Sequence, residues 1–210
     1  MTKISCFGLF STVFFCLMSL PTTGAQEIVF EDRFEGNLKP GWIWLRDNPI
    51  ARRFANNALE IQVEPYAENE ARNVLVRPTD FLGKGTFRIE TQLTCIDQPC
   101  TQYQQGGIYW LQNGRVVFKV VQELVDGKLY IFPGKIPVNA ETVNLRIICN
   151  GDNVCAEYSQ NNESSYRRIY EGKLDVSLSD QVGLQCWHGP KGEKKPWIRF
   201  HYFRIIRDAN

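Results

Sequence analysis

Apolar and polar residues alternate with a period of two along almost the whole chain. Phe87, Ile89, Thr91 and Leu93 make one face of a segment, and Arg88, Glu90 and Gln92 make the other. Val116, Phe118 and Val120 likewise oppose Val117, Lys119 and Val121. The same period marks residues 28–34, 58–63, 73–77, 129–132, 143–149, 154–158, 166–170, 182–188 and 197–206. Successive side chains of an extended strand point to opposite faces, so this spacing predicts half-buried strands. Turn signals separate them: Gly83-Lys-Gly85, Asn113-Gly114, Asp126-Gly127, Pro133-Gly134, Asn150-Gly151 and Gly189-Pro190. No window of helical length carries a 3.6-residue repeat. Short strands at regular intervals predict an all-β protein, a two-sheet antiparallel β-sandwich. There is no internal repeat and no linker.

The N-terminus breaks this pattern. Lys3 is followed by a largely apolar run over residues 7–20 and then by Thr23-Gly24-Ala25, which reads as a small-residue cleavage site. The run is short for a membrane span, which needs about 20 residues. Residues 1–25 are therefore expected to be a secretory signal peptide, with residues 26–210 as the single folded domain and a secreted, extracellular location. The charges nearly cancel, with 24 basic against 23 acidic residues and a net charge of +1. They form no long run, which gives no reason to invoke nucleic acid or an anionic membrane as partner. Of the 7 cysteines, Cys6 and Cys16 leave with the signal. Cys149 and Cys155 flank the Asn150-Gly151 turn, and Cys95 and Cys100 bracket Pro99. Both pairs are expected as disulfides, leaving Cys186 over in an apolar strand. No Cys-x-x-Cys pair supports zinc. Asn162 begins a single glycosylation sequon.

Candidate chemistry lies on the polar strand faces. Arg77, Glu90, Gln105, Tyr109 and Lys119 are planar or charged groups of the kind that address sugar hydroxyls, and Trp44 adds a ring able to stack on a pyranose. A glycosidase needs two carboxylates about 5 to 9 Å apart across the scissile bond. The string from Glu31 to Glu35 has the wrong spacing, since Asp32 does not share a face with Glu31 and Glu35. Glu90 and Glu123 are the pair that could meet across strands. Cys186 and His188 lie on one strand, where neither orients the other as a nucleophile and base require.

The order of the motifs resembles a known family. Phe30-Glu-Asp32-Arg-Phe34, Gly41-Trp42-x-Trp44-Leu-Arg46, Asn73-Val-Leu75-Val-Arg77-Pro78, Phe87-Arg-Ile-Glu90-Thr and Tyr103-Gln-Gln105-Gly-Gly107-Ile-Tyr109 follow one another. They are similar to the concanavalin A-like modules at the C-terminus of family 43 β-xylosidases and to their single-domain relatives. The resemblance implies a jelly-roll sandwich with one concave sheet, on which those polar residues would gather, and an association with carbohydrate. It also implies a structural Ca²⁺ near Asp32. The acidic residue of the family's Phe-Asp-x-Phe pattern is replaced here by His201, which is not a hard-cation ligand, and no other cofactor is expected. The resulting reading is a secreted, lectin-like protein that binds a glycan or polysaccharide without cleaving it. The alternatives are a glycoside hydrolase using Glu90 with Glu123 or another acid, and an extracellular scaffold in which Cys186 cross-links chains.

Overall fold

The computed structural model describes residues 26–208, apart from 81, 84, 98–100, 161–162 and 190–193. The expected signal peptide, Cys100 and Asn162 lie outside the described residues. Fifteen strands form among them: β1 (Gln26–Asp32), β2 (Ile43–Leu45), β3 (Arg52–Phe54), β4 (Leu59–Gln62), β5 (Val74–Pro78), β6 (Thr86–Cys95), β7 (Gln105–Gln112), β8 (Arg115–Val125), β9 (Lys128–Phe132), β10 (Ile136–Val138), β11 (Thr142–Asn150), β12 (Asn153–Gln160), β13 (Arg167–Lys173), β14 (Gln181–Trp187) and β15 (Trp197–Asp208). Every pairing between them is antiparallel. They divide into an eight-stranded sheet ordered β13-β12-β11-β6-β15-β4-β3, with β1 on the second half of β15, and a seven-stranded sheet ordered β10-β9-β8-β7-β14-β5-β2.

Two of the expected hairpin turns form where the sequence places them. Asn113-Gly114 and Asp126-Gly127 are two-residue loops with positive φ at both positions, 51° and 74° in the first and 50° and 74° in the second. That is the type I′ geometry whose twist matches the strands it joins. The alternation of each strand then sends one set of side chains between the sheets. Ile89, Leu93, Leu145, Ile147, Phe200 and Phe203 of the larger sheet meet Ile108, Trp110, Val120, Ile131, Val182 and Leu184 of the smaller one in a single core. Trp110 is fully buried there, and its indole N–H donates to Asp180 Oδ2 at 2.9 Å. Each such large apolar side chain contributes about 1.5–3 kcal/mol on burial. The edge strand β13 carries Arg167, Arg168, Glu171 and Lys173, charges that discourage pairing with another chain.

The register overturns one expected disulfide. Asn150 pairs with Asn153, so Cys149 faces Val154 and Cys155 faces Ile148. Alternation then puts Cys149 in the core and Cys155 on the outer face, and both thiols are free. Cys95 is also free and buried, donating to Gln122 Oε1 at 3.3 Å.

Candidate functional site

The two sheets separate residues that the sequence reading placed on one face. Gln105, Tyr109, Lys119 and Glu123 all lie on the outer face of the seven-stranded sheet, where β7 and β8 set Gln105 opposite Glu123 and Tyr109 opposite Lys119. Glu90 lies on β6 in the other sheet. Its carboxylate, fully buried, accepts from Arg146 Nε and from Arg204 Nε, each at 2.6 Å. The row continues outward through Glu157 to Arg168, and the Tyr166 ring covers the Arg146 guanidinium at 3.5 Å. Both oxygens of Glu90 are therefore committed to an ion-pair ladder. Glu90 and Glu123 face away from each other on opposite sides of the sandwich and cannot flank one glycosidic bond, which corrects the carboxylate pair expected from the sequence.

Arg77 and Trp44 also serve the scaffold. The Arg77 guanidinium sits 3.6 Å over the Phe30 ring and donates to the Pro40 carbonyl at 3.0 Å. Burial pushes its pKa below the usual arginine value, partly offset by Asp80 and Asp32. A Cβ on Gly41 would stand 2.5 Å from Arg77 Nη1, and the positive φ of 96° at Gly41 favours glycine for the same clamp. Trp44 packs against the core with Arg52 stacked 4.5 Å above its ring.

Asp32 organises the loop that follows β1. Its carboxylate accepts from the Phe34 N–H at 2.8 Å, and from the Lys39 N–H and Trp42 Nε1 at 2.9 Å each. Trp42 thereby packs against Phe203, with ring centroids 4.9 Å apart. Three N–H groups point their hydrogens at the oxygens a Ca²⁺ would need. No group of three or more His, Cys, Asp or Glu gathers around a common point among the described residues. The residues present do not fit the calcium site that the resemblance implies.

The outer face of the smaller sheet is built differently. Residues 65–73 run across it as a strap, which the sequence reading missed. Pro65 bridges to His188, the Glu68 carbonyl accepts from Gln185 Nε2 at 2.9 Å, and Asn69 Oδ1 accepts from the Val116 N–H at 2.9 Å. The Glu68 carboxylate is salt-bridged to Lys119. Ala71 of the strap packs with Val74, Val76, Tyr109, Leu111 and Val121 in a second apolar cluster on this face. Tyr109 is fully buried, and its hydroxyl donates to Gln105 Oε1 at 3.0 Å, an oxygen that Lys119 Nζ also reaches at 2.9 Å. Burial, reinforced by Glu68, holds the Tyr109 phenol well above its ordinary pKa. Tyr109 and Gln105 thus fix Lys119 from below, and the buried Tyr109 ring offers no face to a ligand. Gln185 Oε1 and Trp187 Nε1 are buried without a hydrogen-bond partner, although the Trp187 N–H stands close to the Tyr109 hydroxyl.

The β8–β9 half of the face is the more open one, with Glu123, Tyr130 and Phe132 only half-buried. There Glu123 stands opposite Tyr130, and Val121 opposite Phe132. The two half-buried rings are tilted neighbours with centroids 6.4 Å apart, and Lys119 and Glu68 close the patch on the strap side. Glu123 is half-buried, and its carboxylate makes no hydrogen bond or ion pair among the described residues. Burial raises its pKa above the ordinary carboxylate value, Lys119 lowers it, and Glu68 raises it again. A carboxylate without a partner beside two rings can accept hydroxyl hydrogens from a ligand resting on those rings. The alternation at Leu129–Phe132 is visible in the sequence, but nothing in it shows that Tyr130 and Phe132 share the face of Glu123.

No protein-family model and no curated protein matches the sequence. Solved structures share the fold. A bifunctional GH43-CE protein of Bacteroides eggerthii superposes with a TM-score of 0.71 at 18% identity, covering 87% of this chain and 26% of its own. A GH43 protein of Bacillus licheniformis gives 0.67 at 17%, covering 84% and 39%. A xylan β-1,4-xylosidase of Bacillus halodurans gives 0.62 at 16%, covering 90% and 41%. The chain thus spans between about a quarter and two fifths of these proteins. Its fold is that of a β-sandwich module resembling one found within GH43 proteins.

Proposed function

We propose that the protein binds a glycan on the open half of its seven-stranded sheet and does not cleave it. The observation that carries this reading is the patch of Tyr130, Phe132 and Glu123: two half-buried rings beside a carboxylate with no hydrogen-bond partner among the described residues. Rings stack on the apolar face of a pyranose while Glu123 and Lys119 address its hydroxyls. The fold is shared with glycan-related proteins, which supports the same ligand class. The pairing of two candidate carboxylates supports binding without cleavage. Glu90 is locked in an ion-pair ladder on the far sheet, and Glu68 is tied to Lys119. Export through residues 1–25 belongs to the proposal and rests on the N-terminal pattern alone.

A glycan array probed with the purified protein tests this reading. Selective binding that a Tyr130→Ala variant loses is the expected result, with no reducing ends released from the bound glycan. An empty array from a folded sample would refute the binding function. Turnover that stops in a Glu123→Gln variant would instead establish a hydrolase.

A further inference from the structure

A cleft of about 350 Å³ opens beside the proposed glycan patch, lined by Val116, Val117, Phe118, Phe132, Pro133 and Tyr170, with Glu68 and Lys119 at one end. Its walls come from both sheets, since Tyr170 lies on β13 and the Val116–Phe118 wall on β8. The Phe118 and Tyr170 rings meet with centroids 5.2 Å apart at 41°. One irregularity shapes it. Trp110 pairs with Phe118 and Leu111 with Val116, so Val117 is a bulged residue with no cross-strand partner. The bulge turns an apolar side chain outward, 42% exposed. Bulges re-aim side chains in this way beside functional sites.

The cleft shares Phe132 and Lys119 with the patch, so a ligand resting on Tyr130 and Phe132 reaches it without leaving the protein surface. Its size lies at the low end for small-molecule sites, about 300–1,000 Å³. That leaves room for a single ring. Its lining is rings, a proline and valines, which favour a flat apolar group, and its only charged members among the described residues are the paired Glu68 and Lys119 at the end nearest the sugar. A bare sugar would leave the apolar walls in water.

We propose that this cleft is a subsite for an aromatic substituent carried by the bound sugar, so that the protein selects aryl-substituted glycans over unsubstituted ones. The inference rests on the glycan-binding reading above. The test measures the affinity of matched methyl and 4-nitrophenyl β-glycosides of xylose, glucose, galactose and N-acetylglucosamine for the purified protein. For the sugar accepted, the 4-nitrophenyl glycoside is expected to bind at least about ten-fold more tightly, as burial of one ring's apolar surface provides. A Val117→Asp variant then loses this gain while its affinity for the methyl glycoside is unchanged. Val117 is an exposed bulge residue, and a milder Val117→Gln variant serves should the charged one fold poorly. Methyl and aryl glycosides binding equally would overturn the subsite and leave the glycan reading intact. An aryl preference that survives both Val117 variants would overturn its location. Absence of binding by any of the eight compounds, together with an empty glycan array, would overturn both readings.

Discussion

Glu90 is the residue on which a site reading and a structural reading differ most, and Glu90→Gln separates them. Its two carboxylate oxygens receive Arg146 Nε and Arg204 Nε at 2.6 Å in a fully buried position. A hydrogen bond to a charged group contributes about 1.5–3 kcal/mol. The arginine side chains are 16% and 31% exposed, so solvent screening places each bond toward the lower end of that range. Glutamine keeps the volume and one acceptor oxygen, but it turns an NH₂ toward a guanidinium that can only donate. The expected cost is about 2–4 kcal/mol, drawn from one lost charge-assisted bond and one donor–donor contact. With a urea slope of about 2 kcal/mol/M, the unfolding midpoint falls by about 1–2 M. Equilibrium urea unfolding followed by tryptophan fluorescence reads this directly, and glycan affinity of the still-folded variant should equal that of the wild type. A wild-type midpoint combined with lost binding would refute the assignment of Glu90 to the scaffold.

Other expectations follow from the same geometry. Glu123 has a raised pKa in the fold, chiefly from burial, so the folded state binds the proton more tightly than the unfolded one. Its ionisation therefore costs stability as pH rises through the raised value. Glu123→Gln should be slightly more stable than wild type at neutral pH, and thermal melts across that window would show the difference vanish below the ordinary glutamate pKa. Asp32→Ala removes the acceptor for three N–H donors and should cost about 2–4 kcal/mol, read in the same urea experiment. Gly183→Ala should be severely destabilising, because a Cβ there would lie 1.9 Å from the Leu75 carbonyl oxygen. Burial pushes the Cys95 and Cys149 thiols up to about 12 and Cys186 well above its ordinary value. Peptide mapping after maleimide treatment of the native protein should find label on half-exposed Cys155 and none on these three. A peptide cross-linked through Cys149 and Cys155 would contradict the register of β11 and β12.

The strands and turns were legible because their signals are local. The alternation at 87–93 and the Asn113-Gly114 and Asp126-Gly127 turns each fix a face or a φ sign within a few residues. What local pattern cannot show is which sheet a strand joins. Glu90 and Glu123 alternate alike, yet β6 pairs with β11 and β15 while β8 pairs with β7 and β9, and those partners are set by long-range packing. The Cys149–Cys155 expectation failed by one residue of register, and a one-residue shift exchanges core and outer face. Tyr109 alternates onto the outer face of its strand, but the strap of residues 65–73 has no periodic signature, so the covering of that face is invisible in the sequence. Tyr130 and Phe132 were legible as a strand and became site candidates only once Glu123 stood beside them.

In the proposed complex the ligand meets the outer face of the seven-stranded sheet and not the outer face of the eight-stranded one. The most direct measurement compares glycan affinity for wild type, Phe132→Ala on β9, and Tyr202→Ala on β15, where the half-buried Tyr202 stands in register with Gln92 on the opposite side. Loss of affinity by about ten-fold or more in Phe132→Ala with no change in Tyr202→Ala is the predicted result, on the scale of one lost ring contact. Affinity that is lost in Tyr202→Ala and kept in a folded Phe132→Ala would contradict it and move the site to the other sheet.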